Sequence, residues 1–95
     1  MKIPKKVWIC GQLFSIVYKK ELKGRKEEPL LGQCDTNKCT IYLEKGMSDE
    51  KKKEVFIHEC CHGICENLNL NLTESQINSF ALFLIDFLRQ NKIKL

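Results

Sequence analysis

Inside the run "VFIHECCHGI", His58-Glu59-Cys60-Cys61-His62 sets two imidazoles four residues apart, with a carboxylate directly after the first. On a helix, residues at i and i+4 stack on one face, so both rings can reach a single zinc ion at about 2.0–2.1 Å per nitrogen. A glutamate beside that face is poorly placed for the inner shell of the metal. It is well placed to take a proton from a water that the metal has made acidic, and to pass that proton to a leaving amine. The spacing is the His-Glu-x-x-His pattern of zinc hydrolases, with Glu59 as general base. So short a pattern also arises by chance, but here it uses both histidines of the chain and falls within a helical stretch. Two other readings compete. One is a pair of surface or capping histidines on an ordinary helix. The other is a structural zinc knot that also draws on Cys60 and Cys61, and it fails on geometry, because adjacent helical residues point to different sides.

A catalytic zinc site needs a third protein ligand and one open position. Glu74 is the first candidate, since it begins the next helical segment and a tight connection can fold that segment back onto the histidine pair. Glu66 and Cys65 lie roughly on the histidine side of the same helix, but three ligands in line along a helix diverge from a tetrahedral point. Asp86 or a water are the remaining alternatives.

The elements that must hold these residues can be read in order. "KVWICGQLFSIVYK", from Lys6 to Lys19, contains two β-rich runs around Gly11-Gln12 and predicts an N-terminal hairpin with those two residues as its turn. "KELKGRKEEP" is charged and punctuated by Gly24 and Pro29, as expected of an exposed loop. "LLGQCDTNKCTIYLE" then offers a second hairpin whose firmer strand is Thr40 to Glu44. Ser48 is a good N-cap, with Asp49 and Glu50 suited to the first turn of a helix that runs to about Asn67. Its expected apolar side is Ile57, Cys60, Cys61, Ile64 and Leu68, with His58, Glu59 and His62 on a different side.

"NLNLNL" reads as a connection. Thr73 and Gln76 have the spacing of a capping box, opening a helix from Glu74 to about Asn91. That helix is apolar nearly all round over "FALFLIDFL", Phe80 to Leu88, which calls for burial between layers or against a second copy of the chain. The order β, β, β, β, α, α predicts an α+β domain with both helices packed on one small antiparallel sheet made of two hairpins.

Composition bounds what such a domain can be. With 95 residues the chain forms one domain, 1–95, with a single modest core. At 43% hydrophobic and 29% charged residues, with no apolar run long enough for a membrane span, it reads as an ordinary globular chain. The N-terminal "MKIPKKVWIC" does not resemble a secretory signal, and a cytoplasmic location is expected. Six cysteines would suggest a disulfide framework in a secreted domain; here they are expected to be reduced, with Cys34 and Cys39 the one pair that could face each other across a turn. The net charge of +4 comes from lysine runs interrupted by acids and lacking interleaved aromatics, which favours solvated faces over nucleic-acid binding.

"VFIHECCHGI", preceded by "TIYLEKGMSDEKKKE" and followed by "LTESQINSFALFLIDFLRQN", resembles the very small HExxH metallopeptidases of phages, prophages and bacteria, the minigluzincin type, with a looser likeness to ImmA/IrrE-type peptidases. The resemblance implies a zincin-like core and zinc as the metal, one ion per chain. It implies His58, His62 and Glu74 as ligands, Glu59 as base, and a peptide or protein substrate bound by strand addition along Thr40 to Glu44. For a phage-encoded chain the location would be the host cytoplasm. The expected activity is peptide-bond hydrolysis, with Tyr18, Tyr42 and Arg89 as possible stabilisers of the developing oxyanion. The alternative is a zinc-stabilised module without turnover that binds a host or regulatory protein.

Overall fold

The computed structural model describes residues 2–93. Four strands, β1 (Lys6–Ile9), β2 (Gln12–Lys19), β3 (Gly32–Asp35) and β4 (Thr40–Glu44), precede two helices, α1 (Asp49–Asn67) and α2 (Glu74–Gln90). The α+β order and the helix limits match the expectation to within a residue. Among the described residues, no helix is long and apolar enough to cross a membrane.

The first hairpin turns one residue earlier than Gly11-Gln12. Ile9 pairs with Gln12, leaving Cys10 (φ 49) and Gly11 (φ 80) as the turn. Positive φ at both central positions is the type I′ geometry, whose twist matches that of the flanking strands, and glycine fills its second position without strain.

The strand order is β1-β2-β4-β3, and this corrects the expectation of an antiparallel sheet. Each hairpin is antiparallel, but β2 and β4 run parallel, from Ser15↔Thr40 to Lys19↔Glu44. Turn chemistry determines pairing within a hairpin and says nothing about how two hairpins join. Here the join puts Ile16 beside Ile41 and Tyr18 beside Leu43. A parallel join needs a long return, supplied by residues 20–39, in which β3 itself runs back before β4 begins. That return is anchored rather than wholly exposed: Leu22 is buried and its amide donates to Glu44 Oε1 at 2.7 Å. The same join makes β4 an interior strand, so Thr40 to Glu44 is not an edge. The sheet edges are β1 and β3.

Among the described residues only α1 packs on the sheet, while α2 packs against α1 and meets no strand, which corrects the expectation that both helices lie on the sheet. Phe14, Ile41, Leu43 and Phe56 are the largest fully buried side chains, and each contributes roughly 1.5–3 kcal/mol by leaving water. Helix α1 contacts β1, β3, β4 and α2. Its buried arc is therefore wider than an apolar reading suggests and is rotated from it: Val55, Phe56, Ile57, Glu59, Cys61 and Cys65 are buried, whereas Ile64 and Leu68 face solvent. Helix α2 buries only Ile77, Ala81, Ile85 and Leu88, leaving the rest of the "FALFLIDFL" surface uncovered within one chain.

Candidate metal centre

Ser48 starts α1 by accepting from the Lys51 amide at 3.2 Å, and the helix then carries His58 and His62 on one face. The end of α1 turns the chain back. Asn69 takes a left-handed conformation (φ 55), the Leu70 amide bonds the Cys65 carbonyl at 2.8 Å, and the Asn69 amide bonds that of Glu66 at 3.3 Å. These paired bonds are the Schellman closure, and asparagine tolerates its left-handed position. Four residues later the capping box forms as the spacing predicts. The Gln76 amide donates to Thr73 Oγ1 at 3.1 Å and the Thr73 amide to Gln76 Oε1 at 2.8 Å. Glu74 follows as the first residue of α2, directly opposite the histidines.

The three side chains meet. His58 Nε2 lies 2.6 Å from Glu74 Oε1, His62 Nε2 lies 3.1 Å from Glu74 Oε2, and the two Nε2 atoms are 3.1 Å apart. Two ring nitrogens this close cannot each direct a proton at the other, so at least one lone pair points into the shared space. Donors on a tetrahedral zinc at about 2.0–2.1 Å stand about 3.3 Å from one another, close to these separations. Among the described residues, His58, His62 and Glu74 form the group of ligating side chains able to hold a metal ion. Two imidazoles and a carboxylate, with one side open to solvent through the largely exposed Glu74, are a donor set that fits zinc. Glu66 and Cys65 stay outside this convergence, and Asp86 instead accepts from Gln90 at 3.2 Å near the far end of α2.

Glu59 sits next to the histidines but in different surroundings. It is only 8% exposed, and no hydrogen bond to its carboxylate occurs among the described residues. Burial pushes its pKa up; His62 and His58 pull it down, Glu74 adds to the rise, and the net shift is upward. Its carboxyl lines two clefts at once. One, of about 450 Å³, runs between Leu30–Gly32, His58, Asn78 and Leu82; the other, of about 360 Å³, is walled by Gln33, Cys34, His62, Glu66 and Glu74.

Two residues of the site carry no motif signal. Gly32, on edge strand β3, lies against the base: a Cβ there would stand 2.5 Å from Val55 Cγ1 and 3.0 Å from Glu59 Cγ. Asn78 lines the larger cleft with His58 and Glu59. It falls four residues after Glu74, on the same face of α2, and that spacing is the signal that could have found it. The oxyanion candidates from sequence do not reach the site. Tyr18 lines a separate cleft with Lys52, Lys19 stacks over Tyr42, and Arg89 pairs with Glu50.

All six cysteines are free thiols. Burial raises the Cys34 and Cys60 thiols to about 12 and Cys61 to about 11, which keeps them protonated and poor as ligands. Cys39 Sγ donates weakly to Thr36 O at 3.7 Å and to Gln12 Oε1 at 3.8 Å.

Comparison with protein-family models, with curated proteins and with solved structures gives no match for this chain.

Proposed function

We propose that the protein is a zinc-dependent peptidase with a zincin-like arrangement of sheet and helices. The observation that carries this reading is the meeting of His58, His62 and Glu74 at hydrogen-bond range beside Glu59, a largely buried residue that lines the adjoining clefts. Zinc held by these three donors would supply Lewis acidity, polarising a substrate carbonyl and bringing the pKa of a water towards neutrality. Glu59 takes the proton of the attacking water and delivers it to the leaving amine. A carboxyl whose pKa is raised by burial is suited to both transfers, because it is closer to neutral pH than an exposed glutamate.

The substrate, an extended peptide or protein segment, adds to the free side of β3 rather than to β4. The Glu44 amide bonds the Leu31 carbonyl at 2.8 Å, so by antiparallel alternation the main-chain groups of Gly32 and Cys34 face away from β4. A strand laid there crosses Glu59 with one cleft on each side. Asn78, at the wall of the larger cleft, offers the amide donor for the developing oxyanion that the chain otherwise lacks.

The test is Glu59→Gln, which keeps shape and removes the base. The expected outcome is loss of peptide cleavage with zinc unchanged at one per chain. Failure of zinc-loaded wild type to cleave any member of a peptide library would instead favour the binding module acting on a host or regulatory protein.

A further inference from the structure

The side of α2 turned away from the metal centre carries a stripe that nothing in one chain covers. Phe80, Phe83 and Phe87 are 54%, 64% and 45% exposed, and the Phe83 and Phe87 rings stack with centroids 6.1 Å apart. Beside Phe80 the stripe widens into a cleft of about 170 Å³ without polar lining, formed with Ile64, Leu70 and Leu72. Glu74, Asn78 and Leu82 occupy the opposite flank of the helix, so whatever covers the stripe leaves the catalytic clefts open.

We infer that this stripe is the interface of a twofold-symmetric homodimer in which two α2 helices pack antiparallel about Phe83. The order of residues argues for a second copy over any other occupant. Gln76, Phe80, Phe83, Phe87 and Gln90 alternate at intervals of four and three, the spacing of a helix–helix seam. Read outward from Phe83 in either direction, the seam meets one phenylalanine and then one glutamine. A twofold interface requires this kind of self-complementarity, because the same patch must serve both subunits. It has an apolar centre and a polar rim at each end, and no charged side chain stands in the seam to repel its copy.

The area is also of the right size. With aromatic side chains of about 150–250 Å² each, the three phenylalanines expose about 300 Å², and Ile64, Leu70 and Leu72 raise this to about 550 Å². A standard interface of about 800 Å² per partner, with an apolar share of about 65% at its most apolar, needs nearly that much. In the antiparallel arrangement, Phe87 of the partner subunit lies over the cleft beside Phe80.

Analytical ultracentrifugation of the full chain tests this. Wild type is expected to sediment at twice the mass of one chain at micromolar concentration. Phe83→Glu combined with Phe87→Glu is expected to sediment as one chain with the same helical circular dichroism. Leu13→Glu, on an exposed apolar residue of β2, is expected to remain a dimer. Should the double variant fold poorly, Phe83→Ser is expected to raise the dimer dissociation constant about tenfold or more, the effect of losing an interface anchor. A wild type that stays at one chain mass at every concentration, or a dimer that survives these substitutions unchanged, overturns the inference.

Discussion

Glu59 and Glu74 are both glutamates beside the histidine pair, and their surroundings give them different work. Glu74 is exposed at the start of a helix, and its pKa is lowered on balance: burial is the largest single effect and raises it, but the charges and hydrogen bonds of His62 and His58 together outweigh that. A lowered pKa favours the carboxylate form, which suits the ligand role proposed for it. Glu59 is enclosed by α1 and β3 and has its pKa raised, which suits a proton carrier. What holds Glu59 in place is the missing side chain of Gly32. Gly32→Ala forces Val55 and the Glu59 stem to shift, because the added carbon would stand 2.5 Å and 3.0 Å from them. The expected result is a fall in kcat of about 100-fold, typical of misplacing a reacting group by an ångström, with zinc content unchanged. Steady-state kinetics together with metal analysis checks it. The histidine pair and the glutamate beside it stood out in sequence because the proposed chemistry needs fixed spacing. Gly32 was not, since its role depends on a strand crossing a helix far from it in the chain.

At the scale of elements, the position of Glu74, the proposed third ligand, depends on how α1 ends and α2 begins. Asn69 closes α1, Thr73 and Gln76 cap α2, and Glu74 is carried to the histidines by that short connection. Thr73→Ala removes the side-chain acceptor for the Gln76 amide and is expected to cost about 1 kcal/mol of stability. Because the fraying starts at Glu74, zinc affinity should fall as well. Thermal melts with and without zinc read both effects, and a variant matching wild type in each would contradict the role given to the cap. Local signals made the helices, their caps and both hairpins readable. The parallel join of β2 to β4 was not readable, because it is decided by which apolar faces meet, Ile16 with Ile41 and Tyr18 with Leu43, and not by any turn. That one unread contact makes β4 an interior strand and moves the proposed substrate edge from Thr40–Glu44 to β3.

For the whole molecule, the His58, His62 and Glu74 group joins the two helices at the mouth of a small core. A chain of 95 residues buries a thin interior, so a clip between α1 and α2 matters to the fold as well as to the chemistry. The phenylalanine seam on the outer side of α2 would add a second source of cohesion without obstructing the clefts. The proposed zinc chemistry requires Glu74 to complete the histidine pair. The most direct measurement is therefore a zinc titration of wild type against Glu74→Ala, both followed by metal analysis. Wild type is predicted to bind one zinc per chain. Glu74→Ala is predicted to bind it at least about 100-fold more weakly, beyond the loss expected for a merely supporting partner. Unchanged zinc affinity in Glu74→Ala would contradict the three-ligand centre.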